Sequence, residues 1–301
     1  MILNKLRMMI RIRLFEERVT ELKLKGLING PVHTCIGQEA VSAGVCLALS
    51  ETDYIISNHR SHGHLIAKGT DVKLLMAQIF KGNGRSMHVN DVSVGAICST
   101  AIVGSGLPLA CGVAFASKFN KDDKITCVFF GDGAVNEGSF YESINLASLW
   151  KLPILFIIEN NKVAVTTTLE NVSSDSFLAY RANSFGINRE VVDGQDVERV
   201  FNITKQAIDL VRNHSQSALI EARTMRFHEH QEGKGYERMK ETGYRDNDEV
   251  QYWIENRDPI QLYVTKLVMN NIASPLEIRE IYSEENKRIS EAVDFALNTT
   301  I

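Results

Sequence analysis

The distribution of apolar and polar residues along the chain predicts alternating helices and strands. Apolar positions that recur about every 3.6 residues are typical of helices with one buried face. We predict such helices near residues 5–25, 38–49, 71–80, 106–118, 139–149, 196–213, 247–269 and 275–298. Shorter segments that are almost entirely apolar predict strands at 125–130, 153–159, 189–193 and 217–224.

Strands without polar alternation are typical of parallel sheets, because helices cover both faces of such a sheet. Strands and helices also follow one another in turn along this chain, which favours βαβ units. We therefore predict an α/β fold, with a doubly wound and mostly parallel sheet between two layers of helices. The 301 residues are enough for one large domain or for two small ones.

Composition and charge exclude some functions. The chain is 44% hydrophobic and 23% charged, with a net charge of −4 and no strongly basic half. A nucleic-acid partner is not expected, because phosphate neutralisation requires a basic surface. The five cysteines form no CxxC pair, which favours a reduced intracellular protein over a disulfide framework.

Membrane insertion and organelle import are not expected either. No apolar stretch approaches the roughly 20 residues that a membrane helix needs. The amino-terminal residues 1–19 are basic and amphipathic, but they include Glu16 and Glu17 and lack the serine-rich character of a transit peptide. We interpret them as the first helix of the fold and expect the protein in the cytoplasm.

Polar clusters follow three of the predicted strands. Gly131-Asp132-Gly133-Ala134 comes after the first, Asn160-Asn161-Lys162 after the second, and the Arg/His-rich segment 225–230 after the strand at 217–224. The carboxyl ends of parallel strands lie at one edge of a sheet, where ligands of such folds bind. We expect these clusters to converge there.

Asp132 raises a question of charge. A helix is predicted just after it, and the start of a helix attracts phosphate, yet a carboxylate there would repel one. A cation between the two groups removes the conflict, and Mg²⁺ or Ca²⁺ binds carboxylate, amide and carbonyl oxygens together with phosphate. Asn161 and the backbone carbonyl of Val163 are candidate ligands. The competing interpretations are a helix cap for Asp132 and a turn residue for Asn161.

Two other kinds of site have weak support in the sequence. The H-x-x-H-x-H spacing of residues 59–64 matches no standard zinc pattern, and no cysteine pair accompanies it. Residues 104–112, GSGLPLACG, contain a GxG. The third glycine of the dinucleotide fingerprint is misplaced, however, and no strand clearly precedes the segment. A nucleotide-binding oxidoreductase is therefore a minor alternative.

The segment GDGAVNEGSFYESINLASLWKLPILFIIENN, residues 131–161, resembles the thiamine diphosphate motif, in which GDG is followed by NN. In detail it resembles the alpha subunit of the decarboxylating component of 2-oxo acid dehydrogenase complexes, the family of pyruvate, branched-chain 2-oxo acid and acetoin dehydrogenases. The resemblance extends over nearly the whole chain, through HTCIGQEA, HRSHGHLIAKG, AIVGSGLPLACGVAFASK, VVDGQDV and YRDNDEVQYW. It implies a single thiamine diphosphate-binding domain over residues 1–301, with helical extensions at both termini.

The resemblance also implies roles for individual residues. Asp132, Asn161 and the carbonyl of Val163 are expected to bind Mg²⁺. Arg60 and the preceding His59, with the amides of Gly133 and Ala134, are expected on the diphosphate. Ala101 and Val103 are expected around the aminopyrimidine ring. His33 and His230 are expected to orient the substrate or move protons, and His230 also to contact the cofactor.

The chain departs from the family pattern at several places. His59 stands where the family has a tyrosine, and Glu229 and Gln231 flank His230 where a glycine and often a serine occur. Without that serine, we predict no regulation by phosphorylation there. The glycine-rich run within 81–88 is short, and the loop at 228–245 carries an insertion. That loop helps to receive the lipoyl group in family members.

The implied reaction is decarboxylation of a small 2-oxo acid and transfer of the acyl group to lipoamide. A beta subunit is expected to supply the pyrimidine half of the site and the activating glutamate, in an α2β2 heterotetramer, with a lipoyl acyltransferase core as a further partner. The altered loop keeps open a carboligase, which would pass the acyl carbanion to an aldehyde or ketone. A non-catalytic paralogue is a minor alternative.

Overall fold

A computed structural model describes residues 2–81, 86–214, 216–233 and 243–298. The shortened glycine-rich run and the insertion noted above fall largely on 82–85 and 234–242, which lie outside the described residues. Among the helices that are described, none has the length and apolar character required to span a bilayer.

Helices and short strands make up most of the described residues. The helices are α1 (Ile2–Leu24), α2 (Glu39–Cys46), α3 (His62–Lys68), α4 (Val72–Lys81), α5 (Gly106–Asn120), α6 (Gly138–Leu149), α7 (Leu169–Val172), α8 (Val197–His214), α9 (Asn247–Asn256), α10 (Pro259–Met269) and α11 (Pro275–Asn298). The strands are β1 (Tyr54–Ser57), β2 (Ala96–Ser99), β3 (Thr126–Gly131), β4 (Ile154–Asn160), β5 (Val163–Ala164), β6 (Thr167–Thr168), β7 (Asn188–Asp193) and β8 (Ala218–Arg223).

Six strands form one parallel sheet in the order β2-β1-β3-β4-β8-β7, and β5 and β6 form a separate antiparallel hairpin. The chain leaves β1 towards β2 on one side, whereas β3 lies on the other side of β1 and leads on to β4. Connections that diverge in this way open a crevice at the carboxyl ends of the strands. The predicted α/β fold with a parallel sheet is confirmed.

The two faces of the sheet explain the continuous apolar strands. Successive side chains of a strand point to opposite faces. Cys127 and Phe129 therefore pack into the core beneath α1, α2 and α8, whereas Val128 and Phe130 pack into a second core beneath α5 and α6. Since helices cover both faces, the side chains on both faces of this strand are apolar.

The pattern of apolar residues missed β1 and β2 of the main sheet, and also both strands of the hairpin β5–β6. β1 and β2 have only four residues each, which is too short for a periodic signal, and polar residues flank them. β2 precedes the GSG segment, so the expectation that no strand does was wrong. The misplaced third glycine remains the objection to a dinucleotide fingerprint.

The predicted helix at 247–269 is two helices. α9 ends at Asn256, and α10 begins at Pro259, whose missing N–H suits the first position of a helix. Asp258 caps α10, because its carboxylate accepts hydrogen bonds from the backbone amides of Ile260 and Gln261 at 2.8 and 3.3 Å. The Asp-Pro pair ends one helix and starts the next.

A buried carboxylate fixes the amino-terminal end of the sheet. Asp53, just before β1, is fully buried and accepts backbone hydrogen bonds from Ser50 at 2.8 Å and Ile125 at 3.0 Å. Its two oxygens also accept from one nitrogen of Arg212 in α8, at 3.0 and 2.8 Å. One side chain thus joins β1, the start of β3 and the end of α8.

Replacing this carboxylate should destabilise the fold. Asp53→Ala leaves two backbone N–H groups without an acceptor and a partly buried guanidinium unpaired, so we expect a loss of about 3–5 kcal/mol. The free energy of unfolding is measured in denaturant. The control is Asp209→Ala, which removes an exposed carboxylate on the same helix as Arg212. Equal stability of the two variants would contradict this role of Asp53.

Candidate functional site

A cavity of about 300 Å³ opens at the carboxyl ends of β1, β3 and β4. The loops that follow these strands line it, together with the loop after β2. Further lining residues come from the segment before α2 and from the segment after β8. All residues for which a role was expected line this one cavity: His33, His59, Arg60, Ala101, Val103, Asp132, Gly133, Ala134, Asn161, Val163 and His230. The polar clusters that follow the strands thus converge at one edge of the sheet. The roles of the individual residues stay predictions.

Asp132 lies at the bottom of this cavity, in the short 3₁₀ turn Asp132–Asn136 that follows β3. It is only 3% exposed, and burial raises the pKa of its carboxyl to about 6. The nearby backbone amides and the charges of Arg226 and Arg60 offset only part of this cost. No side-chain cap is formed at this turn or at the start of α6. A cation in the cavity would stabilise the ionised form and lower this pKa.

Asn161 reaches the cavity from the end of β4. Its side-chain nitrogen donates to the side-chain oxygen of Gln38 at 3.0 Å, and its own oxygen accepts from the backbone N–H of Val163 at 3.3 Å. The oxygen retains a lone pair, since an amide oxygen has two. The side-chain nitrogen of Gln38 is buried without a protein partner in the described chain. A polar ligand could satisfy it.

The hairpin β5–β6 packs closely against the turn that carries Asp132. A Cβ atom built on Gly133 would lie 2.6 Å from the Cβ of Ala164. A Cβ atom moves only with its backbone, so this contact can be relieved only by a shift of the backbone. Val165 follows at a φ of 56°, a left-handed conformation rarely adopted by a β-branched residue. The absence of a side chain at Gly133 therefore determines where the hairpin, and with it the carbonyl of Val163, lies.

Arg60 is the cationic counterpart of Asp132. Its side chain is 4% exposed and donates to the backbone carbonyls of Thr34 at 2.7 Å and His230 at 3.0 Å. Burial, together with Arg226, lowers the pKa of the guanidinium to about 9. The guanidinium makes hydrogen bonds to neutral groups here, so its charge is available to an anion in the cavity.

Glu159, near the end of β4, holds the residues that follow β1 in place across the intervening β3. One carboxylate oxygen accepts from Asn58 at 2.6 Å and the other is 3.1 Å from the imidazole of His64. Burial would raise the pKa of this carboxyl, but His64 and Asn58 outweigh that effect and hold it below its usual range. Asn58 in turn accepts from the amide of Arg60 at 2.8 Å.

Three imidazoles meet on the Arg60 side of the cavity. The ring centroids of His33 and His59 are 4.9 Å apart, those of His33 and His230 4.7 Å, and those of His59 and His230 5.4 Å. His33 and His230 are separated by most of the chain, and the third member is the residue that replaces the family's tyrosine. Burial, together with Arg60, lowers the pKa of all three, so they are neutral at pH 7.

The cavity is open on the side of the loop that follows β2. Ile102 and Val103 are 73% and 53% exposed at its mouth. The loop itself is ordered by hydrogen bonds between Thr100 and Ser105 at 2.6 Å and from Ser105 to the carbonyl of Ile102 at 2.9 Å. A well-formed loop thus presents apolar side chains to solvent beside the cavity.

Sequence reasoning missed four polar residues of the site: Gln38, Asn58, Thr100 and Glu159. Glu159 was detectable in principle, because a charged residue directly before Asn160-Asn161 interrupts an apolar strand. The other three carry no such signal. Gln38 lies within the quoted segment HTCIGQEA, whereas Asn58 and Thr100 each directly precede a quoted segment.

Comparison with known proteins agrees with this geometry. The chain matches the sequence model of the dehydrogenase E1 component family over residues 6–301. It is 38% identical over 297 residues to the alpha subunit of acetoin:2,6-dichlorophenolindophenol oxidoreductase of Bacillus subtilis (strain 168), covering 96% of this chain and 86% of that protein.

Two pyruvate dehydrogenase E1 component alpha subunits are similarly related. That of Rhizobium meliloti (strain 1021) is 36% identical over 297 residues, which cover 96% of this chain and 84% of the relative. That of Zymomonas mobilis (strain ATCC 31821) is 36% identical over 298 residues, with 96% and 82% covered. The family is thiamine diphosphate-dependent, and its alpha subunits pair with beta subunits. With a family match along almost its entire length, this chain belongs to the dehydrogenase E1 component family.

Proposed function

We propose that this chain is the alpha subunit of a thiamine diphosphate-dependent 2-oxo acid dehydrogenase, which decarboxylates a 2-oxo acid and passes the acyl group to lipoamide. Its relatives over nearly the whole chain are alpha subunits of pyruvate and acetoin enzymes. None of the relatives described above is named as a carboligase, so the dehydrogenase is favoured over that alternative.

The observation that carries the proposal is the pair of buried charges in the cavity. Asp132 requires a cation and Arg60 an anion, and both are less than 5% exposed. A magnesium diphosphate brings both charges in one ligand. Mg²⁺ is commonly bound by one or two carboxylates together with phosphate oxygens.

In the proposed arrangement Mg²⁺ is held by the carboxylate of Asp132, the amide oxygen of Asn161 and the backbone carbonyl of Val163. Arg60 binds the diphosphate through its guanidinium, and the amides of Gly133 and Ala134 approach the phosphate oxygens. Side-chain nitrogens of Gln38 and His59 have no hydrogen-bond partner among the described residues, so they are further polar groups that a ligand can use. When bound, thiamine diphosphate supplies the nucleophilic carbon and the electron sink for decarboxylation.

His33 and His230 act on the substrate in this proposal. Nδ1 of His33 is 2.6 Å from the carbonyl of His230, so it carries the proton. Nε2 of His33 is then free to accept one. The lowered pKa, about 4, keeps the ring neutral and ready to receive a hydrogen bond or a proton at neutral pH.

The open side of the cavity is where the beta subunit completes the site. Ala101 and Val103 would hold one side of the aminopyrimidine ring, and the exposed Ile102 and Val103 are apolar surface that a partner can cover. The activating glutamate would come from that partner. We further propose an α2β2 heterotetramer in the cytoplasm that delivers acyl groups to a lipoyl acyltransferase core.

Removal of the Asp132 carboxylate should abolish Mg²⁺-dependent cofactor binding. We expect Asp132→Ala to weaken thiamine diphosphate binding by at least about 100-fold, or about 3 kcal/mol, because the metal loses its charged ligand. The affinity is measured by calorimetry on the assembled enzyme, with and without Mg²⁺. The fold should be kept, since a buried and poorly solvated charge is removed.

Asp123→Ala is the matched control, because it removes an exposed carboxylate near the opposite end of the same strand. It should bind the cofactor like the unchanged enzyme. Unaltered cofactor affinity of Asp132→Ala would refute the metal assignment.

A methyl group on Gly133 should weaken cofactor binding through the hairpin. In Gly133→Ala the new Cβ displaces Ala164, and the carbonyl of Val163 moves with it. We expect a loss of about tenfold in cofactor affinity. The second substitution Ala164→Gly removes the opposing methyl and should restore most of the affinity. If the double variant binds as weakly as Gly133→Ala, the effect does not pass through the hairpin.

The isolated chain should not decarboxylate 2-oxo acids. It lacks the expected activating glutamate, and its cavity is open where the partner would lie. Carbon dioxide release from pyruvate and related 2-oxo acids is compared for the chain alone and for the chain purified with its beta subunit. Activity only in the second sample is expected; full activity of the isolated chain would overturn the two-subunit site.

A further inference from the structure

The three imidazoles in the cavity have the arrangement of a metal site. His33, His59 and His230 each offer one ring nitrogen, and these nitrogens lie within 4.8 Å of one another. In a tetrahedral site with metal–nitrogen bonds of 2.0–2.1 Å, the ligand nitrogens are about 3.4 Å apart. The nitrogens would therefore have to approach one another by up to about 1.4 Å when the metal binds.

The hydrogen bonds of two of these rings suit metal binding. Nδ1 of His33 donates to the carbonyl of His230, which is the second contact that metal-bound histidines usually make. Nε2 of His59 is buried and has no partner within the described residues. Arg60 lies 3.2 Å from Nδ1 of His230, so this ring binds a metal through Nε2 only in the tautomer with the proton on Nδ1, while Arg60 keeps its hydrogen bond to the carbonyl of His230 at 3.0 Å.

Other histidines in the described chain do not join this cluster. His62 pairs with Glu16 at 2.8 Å and His64 with Glu159 at 3.1 Å, both in the interior. This explains why the spacing of residues 59–64 gave no zinc pattern. Of the three histidines in that segment, only His59 lines the cavity. The other two members of the cluster, His33 and His230, come from distant parts of the chain.

The nearby positive charges oppose a cation. Besides burial, Arg60 and Arg226 both lower the pKa of the three imidazoles, whereas Glu159 and Glu16 raise the pKa of Arg60 against the effect of burial. The three rings are neutral, which is the form that coordinates a metal. The cavity is open, so a fourth position is left for water.

We propose that His33, His59 and His230 form a binding site for a transition-metal ion of the Zn²⁺ class, separate from the magnesium ligands. The ion is exchangeable, because three protein ligands leave one position open to solvent. Since His59 and His230 are also the residues expected beside the cofactor's phosphates, the ion and thiamine diphosphate compete for this end of the cavity.

The test uses Co²⁺, which reports its own coordination by visible absorption. The full-length protein, in the assembly in which it is purified, is freed of cofactor and titrated with Co²⁺. We expect one high-affinity ion per chain with the intense spectrum of a four- or five-coordinate site. His59→Phe should lower the affinity by at least about tenfold and remove that spectrum. Equal binding by His59→Phe, or only a weak octahedral spectrum in the unchanged protein, would overturn the proposal.

His214→Phe is the matched control, because this histidine is exposed at the end of α8. It should bind Co²⁺ like the unchanged protein. X-ray absorption of the zinc-loaded unchanged protein gives a result independent of any variant: three imidazole ligands support the site, and fewer than three, or any sulfur ligand, reject it. Since both measurements are made without thiamine diphosphate, their failure would leave the proposed function unaffected.

Discussion

Two opposite charges buried in one cavity, and not paired with each other, determine much of this structure. Asp132 follows β3 and Arg60 follows β1, and these strands are neighbours in the sheet. Asp132 accepts hydrogen bonds from backbone amides and Arg60 donates to backbone carbonyls, and these uncharged groups position each charge without neutralising it. The sheet, the helices on both its faces and the supporting Glu159 keep these two groups fixed at an energetic cost. Such a cost is typical of sites that wait for a ligand.

The parts of the fold that were predictable are those with a strong local signal. β3 and β4 are long apolar runs, and each ends in a polar cluster whose glycine or asparagine residues mark the turn. β1 and β2 were missed because four residues are too few to show the periodic signal of a strand. The break between α9 and α10 was missed because the apolar period continues on both sides of Asp258-Pro259, although proline within such a pattern is a known reason for a new helix start.

The site was predictable to different degrees. Asp132 and Asn161 followed from physical chemistry, since a carboxylate beside a phosphate site calls for a metal. Arg60, Ala101 and Val103 could be named only from the family resemblance, because nothing in their local sequence separates them from ordinary surface or core residues. The meeting of His33, His59 and His230 could not be predicted from the residues alone, because separation along the chain gives no information about distance in space. The family resemblance implied only that each of the three lies at the cofactor site.

The contact between Gly133 and Ala164 has a consequence for how this protein can evolve. The two positions share one small volume, so a larger residue is tolerated at either only when the other is small. Substitutions there are therefore epistatic, and related sequences should show the two sites changing together. For directed evolution of substrate range, libraries that vary residues 163–168 while keeping Gly133 fixed are expected to retain more folded, cofactor-binding members than libraries that vary the GDG segment.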